Sequence, residues 1–270
     1  MNGELLGVRR LNRATLQRQL LLERSSMPPL AAVEHLVGLQ AQTPQSWYTA
    51  LWSRLAAVDA SAFGAGLENR EVVRIAAMRS TVHLLSARDA IGIRPILQSA
   101  IERAALGAYR RRWAGLNVAE AAEAARLILE QAPITSADLG ARLTERWPNH
   151  SPADLAQVAR CYLPLVQTPP RGVWGRSGRP AHTTLEAWLA GSAPAEPRAR
   201  RNRKNPEASE PLPALVLRYL AAFGPASVLD AQAWCGLTRL GEVFESLRPA
   251  LRVFRAETGR EIFDLPEAPR

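Results

Sequence analysis

Gln40 and Gln42 stand two positions apart in GLQAQTP, residues 38–44, with the aromatics Trp47, Tyr48 and Trp52 close behind. Side chains two apart share one side of an extended segment, whereas in a helix they diverge by about 200°. Pro44 biases Thr43 away from helix, so the spacing predicts two carboxamides projecting together from a loop. Neutral amides can neither give nor take a proton, which separates this pair from the carboxylates of acid–base catalysis. From spacing alone, the pair either presents polar groups to a common target or caps the preceding helix and solvates the turn.

Three further groups are placed to meet a partner. In RSTVHLLS, residues 79–86, the alternating β-rich pattern predicts a short strand with Arg79, Thr81 and His83 on one face. His83 is then a core histidine or a contact to that partner. The Pro- and Gly-rich stretch VQTPPRGVWGRSGRP, residues 166–180, predicts a hairpin with Arg171, Trp174 and Arg176 at its tip. Arginines there suit phosphate or a groove, and Trp174 is a packing anchor or a wedge. Arg198, Arg200, Arg201, Arg203 and Lys204 form a cationic run in a segment too poor in apolar residues to order itself. That run is a solvated tether or a non-specific phosphate contact.

The charge balance names the partner class. Lys and Arg total 34, of which 33 are Arg, against 25 Asp and Glu, for a formal charge of +9. Arginine's forked donors suit phosphate, and so positive a chain points first to nucleic acid. No basic amphipathic helix of the membrane-surface kind stands out, no apolar run reaches bilayer length, and MNGELLGVRR lacks the apolar stretch of a secretory leader. A cytoplasmic, nucleoid-associated protein without membrane contact is expected. Cys161 and Cys235 lie far apart, with no C-x-x-C and no His at ligand spacing. Buried free thiols are expected, with no metal and no cofactor.

The elements that must hold these residues read as mainly α with short β-hairpins, because Leu and Ala dominate and β-branched residues are scarce. Apolar spacing of three and four predicts helices over 13–24, 30–39, 47–58 and 68–76, then over 118–131, 151–166, 212–223 and 240–247. LRVFRA and REIFDL, joined around Thr258 and Gly259, predict a two-stranded wing. The pattern P-x-[ST]-x-x-D occurs at Pro133, Thr135 and Asp138 and again at Pro225, Ser227 and Asp230. A hydroxyl three residues before a carboxylate is a capping-box variant, and its recurrence predicts a repeated helix-turn-helix unit. The expected organisation is a winged-helix unit with a connecting helix over 1–114, a second unit over 115–190, a flexible basic linker over 191–211 and a third unit over 212–270.

Taken in order, HLVGLQAQTPQSWYTALWSRL, RSTVHLL, QTPPRGVWG, RYLAAFGPASVLDAQAW and IFDLP resemble the successive motifs of the tandem winged-helix DNA-binding family of the AlkZ glycosylases, over nearly the whole chain. Gln40-Ala41-Gln42 matches that family's catalytic signature of Gln, an aliphatic residue and Gln; the YcaQ-related branch has Asp in place of the second Gln. The resemblance implies tandem winged-helix units around a basic cleft for double-stranded DNA and metal-independent hydrolysis of the N-glycosidic bond of N7-alkylated purines, interstrand crosslinks included. Gln40 and Gln42 would be catalytic. Arg79, His83, Arg171, Trp174, Arg176 and Arg201 are expected on DNA, and the protein is expected to be a monomer.

That chemistry suits amides. A guanine alkylated at N7 already carries positive charge and leaves as a neutral base, so no general acid is needed. What remains is to hold a water in line with the anomeric carbon and to favour an oxocarbenium-like sugar, which carbonyl dipoles do by geometry. Family members usually continue beyond the DLP motif, so a third unit ending at Arg270 is expected to be truncated. The alternatives are a non-catalytic DNA-binding protein or transcriptional regulator, or an inactive truncated family member.

Overall fold

The computed structural model describes residues 4–190 and 211–270, so Arg201 and the cationic run around it lie outside the described residues. In chain order the elements are β1 (Glu4–Leu6), α1 (Val8–Arg18), α2 (Pro29–His35), β2 (Leu39–Gln40), α3 (Ser46–Trp52), α4 (Ala60–Glu68), β3 (Val72–Ala76), β4 (Val82–Ser86) and α5 (Ala87–Tyr109). There follow α6 (Val118–Gln131), β5 (Ile134–Thr135), α7 (Ser136–Thr144), α8 (Pro152–Tyr162), β6 (Leu165–Gln167), β7 (Ala181–Thr184) and α9 (Leu185–Leu189). After the undescribed residues come α10 (Pro211–Phe223), α11 (Val228–Cys235), α12 (Gly241–Leu247), β8 (Arg252–Ala256) and β9 (Glu261–Asp264). The protein is mainly helical, with sheets.

One order recurs three times: helix, short strand, helix, helix, strand, strand. It runs from α2 to β4, from α6 to β7 and from α10 to β9, with Ala226 as a one-residue strand in the third. Each time the short strand pairs with the last strand of its own set: β2 with β4, β5 with β7, and Ala226 with Phe263 of β9. The repeated sequence pattern is what starts two of the middle helices. The Thr135 hydroxyl accepts the Asp138 N–H at 3.2 Å to cap α7. Ser227 and Asp230 form the full reciprocal box at α11, with N–H to side-chain bonds of 2.8 and 3.3 Å.

The chain divides into two compact units. The first, within the described residues, comprises 4–39, 48–58 and 211–270. Its three-stranded sheet has the order β1-β8-β9, with β1 parallel to β8 and Leu6, Phe254 and Ile262 packed together. Arg18, almost wholly buried, makes a two-pronged pair with the fully buried Asp264 at 2.6 and 2.9 Å. It also donates to the Leu220 and Pro269 carbonyls. Arg270 Nε reaches the same carboxylate at 2.6 Å.

The second unit comprises residues 40–47 and, of the described residues, 59–190. Its sheet runs β4-β3-β6-β7-β5 with Gln40 at the β4 edge. Across three of those strands Arg74, Gln167 and His182 stand directly opposite one another. Directly opposed residues project from the same face of a sheet.

Several expectations need correction. The helix expected over 68–76 is instead the end of α4 followed by strand β3, in which Val72, Val73, Arg74 and Ile75 are all buried. A strand covered on both faces shows no alternation, so its apolar run was open to a helical reading. The expected helix over 151–166 stops at Tyr162, and Leu165 and Val166 join β6. The helix expected over 13–24 is α1 at 8–18, ended by Leu20 in a left-handed conformation. The two-stranded wing of the last third gains a third strand, β1, from the start of the chain. Finally, β4 begins at Val82, so Arg79 sits in the preceding turn and not on a strand face with His83.

Candidate active site

The chain enters the site through a reversal after α2, where Val37 and Gly38 both take positive φ and the Gly38 N–H bonds back to the Val33 carbonyl at 2.8 Å. From Gln40 the backbone runs extended beside β4. The Ala41 N–H donates to the Val82 carbonyl at 2.8 Å. Gln40 and Gln42 are exposed, and Ala41 between them is fully buried. That alternation is what an extended segment imposes.

Neither carboxamide caps a helix. Gln42 Oε1 accepts the backbone N–H of Val82 at 3.1 Å, which fixes the amide's orientation because only its oxygen can accept. Val82 is therefore held on both sides, its carbonyl by the Ala41 backbone and its N–H by the Gln42 side chain. The Gln42 NH2 group is left turned away from that bond. The Gln40 carboxamide makes no hydrogen bond among the described residues. The Ser46 hydroxyl donates to the Thr43 carbonyl at 2.9 Å and closes the segment at the start of α3.

Beneath the pair lies Arg74, 1% exposed in the middle of β3. Its Nη2 donates to the Ala41 carbonyl at 2.8 Å, so the peptide between the two glutamines is held from below. The connection from β6 to β7, residues 168–180, folds over the same guanidinium. A Cβ on Gly172 would stand 2.8 Å from Arg74 Cδ, and Gly172 has φ of 94°. Gln45 makes a second tie, its Nε2 donating to the Val173 carbonyl at 3.2 Å.

The other expected contacts fall into two groups. Arg171, Trp174 and Arg176 share the 168–180 connection. Arg171 donates to the Gly178 carbonyl within it at 3.1 Å, Arg176 pairs with Glu68 at 2.5 Å, and Trp174 is 48% exposed. Arg79 is exposed in the tight turn between β3 and β4, where it and Ser80 take φ of 54° and 59°. His83 is buried on the face opposite Arg74, its Nδ1 2.9 Å from the Thr81 carbonyl. Burial, and then the Arg79 charge, hold its pKa below the ordinary histidine value. Of the three aromatics after the glutamine pair, Trp47 packs edge-on against Phe63 and Tyr48 is buried. Trp52 stays exposed under the Arg24 guanidinium.

The sequence model of the AlkZ-like DNA glycosylases matches residues 33–270. The chain belongs to the AlkZ-like DNA glycosylase family. Its fold is similar to that of the Streptomyces sahachiroi DNA glycosylase AlkZ, with a TM-score of 0.74 over 99% of this chain and 71% of that one, at 22% sequence identity. None of the curated proteins compared matches it. DNA is thus the partner, and DNA repair the process, of the family to which this AlkZ-like chain belongs.

Three further residues around the candidate site, Arg74, Gln45 and His182, carried no assignment from the sequence. Arg74 left one signal, a single charge inside the apolar run VVRIA. A buried charge is rare unless something holds it. His182 sits in line with Arg74, and burial, followed by the charges of Arg160 and Arg74, pushes its pKa down to about 4. Cys161 and Cys235 are free and buried, and burial raises both thiols. Among the described residues no cluster of His, Cys, Asp and Glu could hold a metal ion, and no helix is long and apolar enough to cross a membrane.

Proposed function

We propose that this chain hydrolyses the N-glycosidic bond of N7-alkylated purines in double-stranded DNA, with Gln40 and Gln42 as the catalytic pair. The supporting observation is the two exposed carboxamides flanking a buried residue, with the Gln42 oxygen held at 3.1 Å by the Val82 N–H. In this assignment the cationic base leaves as a neutral molecule and takes no proton from the protein. The water that attacks the anomeric carbon gives its proton to bulk solvent. Gln42, whose oxygen keeps a second lone pair, and Gln40 orient that water. Their dipoles favour the positive charge that develops on the sugar. Groups fixed in place before the reaction need no reorganisation at the barrier, the usual source of such stabilisation.

Each of the three element repeats is read as a winged-helix unit, in tandem over residues 1–114, 115–190 and 212–270, forming a basic cleft for DNA in a monomer. Arg79 at the β3–β4 turn and Arg171, Trp174 and Arg176 in the 168–180 connection are assigned to DNA. Interstrand crosslinks fall within the same chemistry, since an alkylated N7 is cationic whatever hangs from it. The test is release of N7-methylguanine from a duplex in single turnover. Gln40→Ala and Gln42→Ala are each expected to lose about 100-fold or more in rate. Wild-type rates in both variants would refute the assignment.

A further inference from the structure

We infer that Arg74 is the positioning residue of this site and that Gly172 is the small residue that lets the 168–180 connection close over it. The inference rests on the assignment of Gln40 and Gln42 as the catalytic pair and adds to it what sets their geometry.

Gln40 and Gln42 hang from one backbone whose orientation is decided by the peptide units around Ala41. The Ala41 N–H is fixed by the Val82 carbonyl and the Ala41 carbonyl by Arg74 Nη2, each at 2.8 Å. These two bonds hold consecutive peptide units through two different partners, a strand carbonyl and a side-chain guanidinium, so together they restrain the segment's rotation about its own axis. Rotation is what decides where both carboxamides aim. Without the Arg74 bond, the Ala41 carbonyl would be a buried acceptor with its holder gone, and the segment would have to turn to satisfy it.

Arg74 cannot shift freely. It lies in the middle of β3, paired on one side with Leu84 of β4 and on the other with Gln167 of β6. The third wall is the 168–180 connection, whose Gly172 approaches so closely that a methyl group would press on the Arg74 stem at 2.8 Å. The same connection takes the Gln45 bond through Val173 and holds Arg171, Trp174 and Arg176. One guanidinium thus joins the segment carrying the two glutamines to the connection assigned to DNA. A misplacement of about 1 Å of a reacting group can cost on the order of 100-fold in rate, so a modest turn of the segment is enough to matter.

The experiment compares Arg74→Met, Arg74→Lys and Gly172→Ala with wild type and Gln42→Ala. Each is read by single-turnover release of N7-methylguanine, by affinity for an undamaged duplex and by hydrogen exchange at the Val82 amide. Arg74→Met is expected to release base about 10- to 100-fold more slowly. Its duplex affinity should stay within about threefold of wild type, as for a residue that contacts no DNA. Its Val82 amide should exchange faster, because Gln42 no longer covers it. Arg74→Lys should recover part of the rate and carries the test if the Met variant does not fold. Gly172→Ala should reproduce the faster Val82 exchange with Arg74 intact.

A folded Arg74 variant with wild-type rate and unchanged Val82 exchange, alongside an inactive Gln42→Ala, overturns the positioning role. A fully active Gln42→Ala overturns the catalytic assignment instead, and Val82 exchange still reports whether Arg74 holds the segment.

Discussion

At two of the three places where a short strand hands over to a helix, the hand-over is immediate. Thr135 ends β5 and caps α7, and Ser227 follows the Ala226 bridge and caps α11. In the first repeat the same place behaves differently. Gln40 ends β2, α3 does not begin until Ser46, and neither glutamine caps it: the Gln42 oxygen bonds to Val82 of a strand, and the Gln40 amide bonds to nothing described. The contrast teaches that a position occupied in two repeats by a group needed for folding has been released from that duty in the third. Side chains freed from capping face solvent, and there they are available to a substrate.

Exchanging the roles is the sharpest way to break this comparison. Gln40→Ala should cut base release by about 100-fold or more while changing stability by less than about 0.5 kcal/mol, since its amide bonds to nothing described. A stability loss that matches the activity loss would mean that Gln40 is a folding residue like its counterparts.

The second repeat carries the next largest effect, and it depends on pH. His182 pairs with Ile134 at the β5–β7 junction, and its folded pKa of about 4 lies below its unfolded value. The unfolded chain therefore takes up the proton first as pH falls. The stability that depends on neutral His182 is whole above about pH 6.5 and lost progressively toward pH 4, by roughly 3 kcal/mol. Urea unfolding of wild type and His182→Gln across that range checks it, the variant giving the flatter profile. The proposed catalytic pair has no titratable group, so the rate should be flat between about pH 6 and pH 8 wherever the protein is folded.

Smaller effects separate the two capped junctions. Ser227→Ala removes a complete reciprocal box and should cost about 1–2 kcal/mol, and Thr135→Ala about 1 kcal/mol, with base release from folded protein unchanged in both. Smallest is the β3–β4 turn, where Arg79 and Ser80 occupy conformations that favour Asn and Gly. Replacing both, Arg79→Asn with Ser80→Gly, should stabilise by about 1 kcal/mol. The same change should lower the slope of duplex affinity against log salt by about 1 if Arg79 meets a phosphate. A gain in stability with no change in slope would remove Arg79 from the DNA contacts.

The legible parts of the sequence were those governed by local chemistry. Thr135 and Ser227 announced their helices because a cap acts within three residues, and Gln40 and Gln42 announced a shared side because alternation is a property of extended chain. What escaped depended on distant partners. β1 has three residues and pairs with a strand some 250 positions away, so no local period marks it. β3 hid as a helix because both of its faces are covered. Arg74 went unassigned because its neighbours, Ala41 and Gly172, are brought to it only by the fold. His83 carried two readings in the sequence; in the fold it is buried, its Nδ1 2.9 Å from the Thr81 carbonyl.

The central claim is that two neutral amides suffice because the departing base is already positively charged. Matched duplexes carrying N7-methylguanine or uracil at one position, incubated with excess enzyme and scored for free base, test this most directly. The account predicts release of the cationic purine with no detectable release of the neutral pyrimidine. Comparable rates for the two would contradict it.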